Sequence, residues 1–332
     1  MTLNQLMAFV YAVRLKSFTA AAKELGLTQP GVSDLIQRLE SELAEVLFVR
    51  HRRALKLTAA GRELYPYAKH AIEAAQNGAA AVRSLKTLEG GSAAFGLLRN
   101  SPYYVGPDLV ANFHRTYPNV RLRLVGQNSS ETADDVRNLD LEAGLVTLPI
   151  DEDSLGILQI ARDEVFYASS SDDADHADDA GPMTIAGFCR RPLVLYDAHY
   201  RDLDPARRQL AHRAAVAGLA VEPHIEVEYL TDALDLVAQG FGGTVVCGAA
   251  VRSQVEPRGL RIRPFAEPLY DTLALIKRPE QPLSSATREI ALLAVRTLLD
   301  HVDALPTVSL LPGAEDSAIR NFLGVKEDVG AE

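Results

Sequence analysis

Gln29, Pro30, Ser33, Asp34, Gln37 and Arg38 recur at helical spacing in QPGVSDLIQR, so an α-helix would gather them on one face. Their side chains include amide, hydroxyl, carboxylate and guanidinium groups, the set that pairs with base edges in a DNA major groove. The basic run RHRRA follows, and its Arg50, Arg52 and Arg53 could reach phosphates or a minor groove. A second polar set is spread further along: Asn100 and Ser101, Asn128 and Ser129, Thr147, Tyr196, His199 and Tyr229. These sit at or just after the ends of runs that read as strands, where α/β sheets bind ligands. Bond-breaking chemistry has no comparable signal. The chain contains no HExxH, GxSxG or P-loop pattern, each of which would imply a specific reaction. Its eight His are scattered, and Gly240, Gly242 and Gly243 read as a helix-to-strand turn. Neither a catalytic set nor a metal set is expected.

Local signals say how the first group is held. Ser17 can cap one helix, and Gly26 can end it, because Gly enters the left-handed terminal conformation without steric cost. Thr28 can cap the next, with Pro30 tolerated in its first turn. Val32, Leu35, Ile36, Leu39 and Leu43 then form an apolar stripe opposite the polar face, and Ala20 to Ala22 let the two helices approach closely. An earlier helix opens with Thr2 and Gln5 at capping-box spacing and turns Leu6, Phe9, Val10 and Val13 inward. Leu47–Val49 and Leu55–Leu57 read as short strands flanking the arginines. A helix pair followed by a basic β-turn is a winged helix-turn-helix, whose second helix enters the major groove. A plain helical hairpin with a solvated polar face shares the spacing, but the basic turn immediately after it favours the wing.

Thr58 can cap a long helix running to about Leu88. Along it Leu64, Ala68, Ala71, Ala75, Gly78, Val82 and Leu85 alternate steps of four and three, a heptad seam of small residues suited to pairing with a second copy. Glu89-Gly90-Gly91-Ser92 reads as a hinge. Domains are therefore expected at 1–58 (DNA-binding), 59–90 (linker and dimerisation helix) and 91–305, with a tail from 306 to 332.

With 332 residues, 47% of them apolar, the chain has enough material for two or three domains. Its net charge of −10 argues against nucleic acid only until its distribution is counted. Residues 1–90 hold 12 Lys and Arg against 8 Asp and Glu, and the remainder holds 22 against 36. A mildly basic head on an acidic body fits separate DNA-binding and ligand-binding parts. Cys189 and Cys247 are the only cysteines and read as buried small hydrophobes. No run is apolar enough to span a bilayer and MTLNQLMAFVY does not resemble a secretion leader, so a cytoplasmic location and no membrane partner are expected.

Beyond the hinge, strands and helices alternate. AAFGLL, VRLRLV, EAGLV, EVFYAS, PLVLYD, HIEVEY, GGTVVCGAAV and LYDTLALIKR read as strands. Pro102–Thr116, Glu131–Leu139, Asp204–Gly218, Thr231–Gln239 and Ser284–Leu305 read as helices. That order implies α/β units with largely parallel sheets. Ser169 to Gly181 is an acidic surface loop, and the tail after Leu305 has weak periodicity and reads as frayed. Arg99, Asn100 and Ser101 would lie at a helix N-terminus, which favours an anionic or strongly polar ligand.

SFTAAAKELGLTQPGVSDLIQRLESEL and LFVRHRRALKLTAAGREL resemble the winged helix-turn-helix of the LysR-type transcriptional regulators almost end to end. FGLLRNSPYYVGPDLVANFHRTYPNVRLRL, LEAGLVTLP and LDLVAQGFGGTVV resemble the effector-binding domain of that family more weakly. The resemblance implies a two-lobed α/β domain like type 2 periplasmic binding proteins, with lobe one at 92–162 and 266–305 and lobe two at 163–265. It also implies a homodimer through the linker helix, a homotetramer built from dimers, a double-stranded DNA operator, and a small-molecule effector with no resident cofactor. Asn100 matches a position where the family places an effector-contacting hydroxyl, and Asp34 and Gln37 stand where it often carries basic or amide residues. Asp34 could accept from a cytosine amine. An enzyme on the α/β region and an effector-independent architectural DNA binder are the alternatives.

Replacing Arg50, Arg52 and Arg53 together by Ala should weaken binding to every DNA sequence. It should also flatten the dependence of log affinity on log salt by about one unit per lost phosphate contact. Titration of a labelled duplex at several salt concentrations reads both quantities, and an unchanged affinity and slope would remove the wing from the interface.

Overall fold

A computed structural model describes residues 1–51, 54–83, 90–106, 108–171, 181–302 and 305–325. The chain separates into two compact units, Met1–Thr87 and Leu88–Glu332.

The first unit is built on α1 (Leu3–Leu15), α2 (Phe18–Leu25) and α3 (Gln29–Leu43). The capping signals act as their spacing predicts. Thr2 and Gln5 form a reciprocal capping box, and Ser17 accepts from the Ala20 N–H. Gly26 ends α2 with φ 65°, and Thr28 accepts from the Gly31 N–H. Leu6, Phe9, Ala12, Ala21, Val32, Ile36 and Leu39 make the core. Leu43, expected in the same stripe, is exposed, because Ala44 takes a left-handed conformation and ends α3 there. Antiparallel strands β1 (Phe48–His51) and β2 (Ala54–Leu57) follow, with Phe48 opposite Leu57. The Glu40 carboxylate accepts from the N–H groups of Leu47 and Phe48 at 2.8 and 3.3 Å, tying α3 to the first strand. Phe48 packs on Phe9 and Phe18, with ring centroids 5.4 Å away in each case.

Helix α4 (Ala59–Arg83) is capped by Thr58, whose hydroxyl accepts from the Gly61 N–H. Its first turns serve the unit's own core. Ala68 is 1% exposed in the single chain and the partly buried Leu64 packs against the same cluster, so Ala68, expected in the dimer seam, serves its own core. Ala71, Ala75 and Gly78 are exposed. The side chains of Arg50 and Val82, and residues Arg52, Arg53 and Leu85, lie outside the described residues, as does the acidic stretch 172–180.

The second unit contains a sheet ordered β11-β6-β10-β5-β3-β4, with β9 on the far part of β6. Strands β3 (Gly91–Leu98), β4 (Val120–Gln127) and β5 (Ala143–Leu148) run parallel. Gly91 and Ser92, expected in a hinge, are the first residues of β3. The 14-residue β6 (Gly156–Ser169) and 17-residue β10 (Arg261–Lys277) are antiparallel to each other and to their remaining neighbours. A largely parallel sheet is therefore not what forms. The chain leaves the first half along β6 and returns along β10, so the two must point in opposite directions. They carry the first half into the second, where β9 (Gly243–Cys247) pairs with β6 and β7 (Val194–Leu195) lies parallel to β8 (Ile225–Glu226). Register shifts occur in β10 between Pro264 and Leu269 and between Leu273 and Ala274.

Helices α5 (Asp108–Thr116), α6 (Ser129–Arg137) and α11 (Ser285–Val302) belong to the first half. α7 (Ile185–Cys189), α8 (Pro205–Val216), α9 (Leu230–Ala238) and the short α10 (Gly248–Ala250) belong to the second. Two differences from the sequence reading matter. The expected helix Pro102–Thr116 is a 3₁₀ turn, Ser101–Tyr103, followed separately by α5. The tail expected to fray forms β11 (Val308–Leu310) on the edge of β6, then α12 (Asp316–Leu323), which buries Ile319 and Leu323. Elements this short show little periodicity in sequence. Cys247 is buried as expected, whereas Cys189 is only half-buried. Among the described residues no helix is long and apolar enough to cross a membrane.

Gly61 tests the packing of α4. A Cβ there would stand 2.3 Å from the Leu47 backbone oxygen, which the Glu40 interaction holds in place. Gly61→Ala should destabilise the first unit by roughly 1–3 kcal/mol. Denaturant unfolding followed within this unit measures it, and an unchanged midpoint would contradict the close approach.

Candidate functional sites

The polar face of α3 is open to solvent. Gln29, Pro30, Asp34, Gln37 and Arg38 are exposed, and Ser33 is partly so. Arg38 pairs with Asp34 at 2.8 Å across one helical turn, with more than half of each side chain exposed. Such a pair contributes only about 0.3–0.5 kcal/mol, so a DNA duplex could separate it at little cost. The face thus presents two amides, a hydroxyl and a self-neutralised ion pair, which is suited to hydrogen-bond readout more than to bulk charge attraction.

The second site is a cleft between the two halves of the second unit. Its walls come from the ends of elements. Arg99 and Asn100 follow β3, Asn128 and Ser129 start α6, and Thr147 lies near the end of β5. Facing them are Tyr196 and Asp197 after β7, Asp204 to Ala206 at the start of α8, and Asp271 within β10. The cleft, partly open to solvent, has a volume of about 30 Å³, room for a small polar group.

Glycines set the position of α6. Cβ atoms on Gly96 and Gly144 would lie 2.4 and 2.7 Å from the Thr132 Cγ2, so only their absence lets α6 sit so low on β3 and β5. That seating lets the Ser129 hydroxyl accept from the Thr147 N–H at 2.9 Å. Asn128 caps α6 by accepting from the Ser130 N–H, and its amide donates across the cleft to Asp197 at 2.8 Å. Arg99 makes the other cross-cleft link, to Asp197 at 3.1 Å and Glu228 at 2.7 Å. Ser130 donates to the Leu203 carbonyl at 3.0 Å, and the Tyr200 hydroxyl donates to Glu131. These contacts latch the two halves together. Asp197 holds them at φ 62°, a left-handed conformation that Asp tolerates better than most residues.

Carboxylates dominate the electrostatics. Asp197, Asp204 and Asp271 are all buried, and burial penalises their charged forms. Burial, then the charge of Asp197, pushes Asp204 up to about 7. Asp271 is raised well above the ordinary carboxylate range by burial, then by the charges of Asp204 and Asp163. Asp197 is raised by burial, with Asn128 and Arg99 opposing the rise. Below the cleft Asp163 accepts from the Tyr104 hydroxyl at 2.9 Å and the Ala249 N–H at 2.8 Å.

Of the ligand residues expected from sequence, Asn100, Asn128, Ser129, Thr147 and Tyr196 line this one cleft. Ser101 is buried in the 3₁₀ turn and is not part of the lining. His199 and Tyr229 are exposed and also outside it: His199 packs its ring on Tyr200 and donates its N–H to Glu228, and Tyr229 precedes α9 with 58% exposure. The helix N-terminus from which an anion preference was argued is also not formed at Asn100. That turn spans three residues, too short for an appreciable dipole, and three carboxyl groups face the space. Asp197, Asp204 and Asp271 went unrecognised. Asp204-Pro205 is a helix-start signature, and Asp271 interrupts an otherwise apolar strand in LYDTLALI; that interruption was the available signal.

Residues 3–62 match the family profile described as "Bacterial regulatory helix-turn-helix protein, lysR family", and residues 87–299 match "LysR substrate binding domain". An uncharacterised helix-turn-helix transcriptional regulator of Escherichia coli, YbhD, is 25% identical over 308 residues, covering 92% of this chain and 94% of its own. A full-length OxyR variant from Pseudomonas aeruginosa superposes with a TM-score of 0.69 at 22% identity, covering 93% of this chain and 98% of that one. Full-length CbnR solved with its target DNA gives a TM-score of 0.58 at 20% identity, covering 90% of this chain and 100% of that one. At these identities the two structures speak for the fold.

Asp271 provides a test of the cleft's electrostatics. A carboxyl whose pKa is raised by folding binds more protons in the native than in the unfolded state, so stability falls as pH rises above the unfolded value. Asp271→Asn removes that contribution. Its advantage over the wild type should grow as pH rises above the ordinary carboxylate range, by up to about 1.4 kcal/mol per unit. Denaturant unfolding across the range measures it, and parallel pH profiles would contradict the assignment.

Proposed function

The chain belongs to the LysR family of bacterial transcriptional regulators, and on that footing we propose which of its parts carries each step of a ligand-controlled switch on DNA. It is a DNA-binding regulator with an effector-binding domain, and not an enzyme. In our reading α3 lies in the major groove with Gln29, Pro30, Ser33, Asp34, Gln37 and Arg38 against the bases, and Arg50, Arg52 and Arg53 meet the backbone. The exposure of the α3 face and its amide-rich chemistry support this, and the related fold of CbnR was solved with its target DNA.

Two copies pair through α4 along Ala71, Ala75 and Gly78, with Val82 and Leu85 continuing the repeat. Ala68 takes no part, being committed to its own core, and the partly buried Leu64 lies at the edge of the seam. Two-fold pairing requires an operator with two related half-sites, and dimers of dimers follow from the resemblance. The target, chromosomal DNA, makes the cytoplasm the site of action.

The effector is a small polar metabolite, not a resident cofactor, bound where the two halves of the second unit meet. One observation carries this: both halves contribute polar side chains to one cleft, and hydrogen bonds across it hold them together. A ligand that favours one arrangement of the halves shifts their equilibrium by its differential affinity and no more.

Selection of bound fragments from random duplex DNA should recover an imperfect inverted repeat. Ala75→Glu sets like charges face to face in the proposed seam, so it should sediment as a monomer and lose preference for two half-sites over one. Selected DNA without repeat symmetry, or a variant that remains dimeric, would overturn the assembly.

A further inference from the structure

We propose that the cleft accepts the cationic head of a small metabolite, a primary ammonium or guanidinium group, seated between Asp271 and Asp204 with its remaining polar part against Asn100, Ser129 and Thr147. The proposal deepens the effector-site reading and rests on it. The carrying observation is Asp271. It lines the cleft, is 6% exposed, and its Oδ1 has no hydrogen-bond partner. A buried acceptor left unmet is costly, and a donor placed in the cleft would satisfy it.

The neighbouring cations are already paired with carboxylates, although the Arg99 Nε keeps no hydrogen-bond partner. Arg99 is held by Asp197 and Glu228, and Arg207 donates to Glu226 at 2.7 Å. Among the described residues neither Asp204 nor Asp271 makes an ion pair. An anionic head would therefore enter a space with three carboxyl groups and only one cation on its walls. A neutral head would leave the carboxyls competing to stay protonated. A cation with several N–H donors meets the unpartnered Oδ1 of Asp271 with a charge-assisted hydrogen bond. It also adds a donor to Asp204, whose carboxylate already accepts from the Arg207 N–H at 2.8 Å. A volume of about 30 Å³ suits a head group rather than a whole metabolite. A metal ion fits less well, since among the described residues no group of three or more His, Cys, Asp or Glu side chains is placed to hold one.

The binding step balances as an exchange: the ligand cation enters, a carboxyl proton leaves. The groups facing Asp271 are Asp204 at the start of α8, Asp163 on β6, Tyr104, Tyr196 and Cys247, with Arg99 and Asp197 also in the lining of the cleft. Asp204 and Asp271 hold their protons most readily when the cleft is empty, so affinity for a cation should rise with pH while these protons become easier to displace.

Saturation-transfer difference NMR on the full-length protein tests this with four probes that share one alkyl chain: n-propylammonium, n-propylguanidinium, propionamide and propionate, each at millimolar concentration. The wild type should transfer saturation to one or both cations, more strongly at about pH 8 than at pH 6, and not to propionate. Which cation responds separates the amine from the guanidinium source. Asp271→Asn should weaken the cation signal at least about tenfold. Asn100→Ala should weaken it too, since Asn100 would hold the rest of the ligand. No cation signal in the wild type, or an equal one in Asp271→Asn, overturns the proposal. Preferential binding of propionate or propionamide that Asn100→Ala abolishes also overturns it, while leaving the cleft as the effector site. Probe signals indifferent to both substitutions remove the effector-site reading as well.

Discussion

The carboxylate of Asp197 is the interaction on which the second unit depends. It is 1% exposed and takes Arg99 and Asn128 from the opposite wall, while Asp204 shares its proton from behind. Burying a charge is tolerable only when partners meet it with good geometry, and here those partners lie in the other half of the unit. Satisfying Asp197 therefore means closing the cleft. Losing either partner would expose an uncompensated buried charge, which favours separation of the halves. β6 and β10 are the strands through which such movement would pass, and β10 has irregular register on both sides of Asp271.

The first unit solves a different problem with the same economy of polar contacts. Its basic excess is small, so affinity must come from where its few cations lie rather than from a broad charged surface. α3 is anchored by caps at its start and by Glu40 on the first strand of the wing. Gly61 lets α4 press onto that strand without a side chain between them. A helix face held in place is what hydrogen-bond readout requires, since each bidentate contact tolerates little misplacement.

Much of this was legible in the sequence, for identifiable reasons. Caps at Thr2, Ser17 and Thr28 and the stop at Gly26 are local signals, read within three or four residues, and all four act as expected. Asn100, Asn128, Ser129 and Thr147 were found because strand ends in α/β folds point at ligands. What failed were properties that depend on distant parts of the chain. The heptad repeat does not say that Leu64 and Ala68 already pack against α1 and its neighbours. Exposure put His199 and Tyr229 outside the cleft, which no spacing reveals. The three carboxyl groups of the cleft were not foreseen, because Asp197, Asp204 and Asp271 come together only in three dimensions, from a loop, a helix cap and a strand.

Infrared difference spectroscopy of the protonated carboxyl C=O stretch measures the central claim most directly. The account predicts that in the ligand-free regulator a buried aspartic acid keeps its proton to higher pH than an ordinary carboxyl, with a band diminished in Asp271→Asn and lost when a cation that fits the cleft saturates the wild type. Carboxyl bands that all titrate in the ordinary carboxylate range, or that Asp271→Asn leaves unchanged, would contradict it.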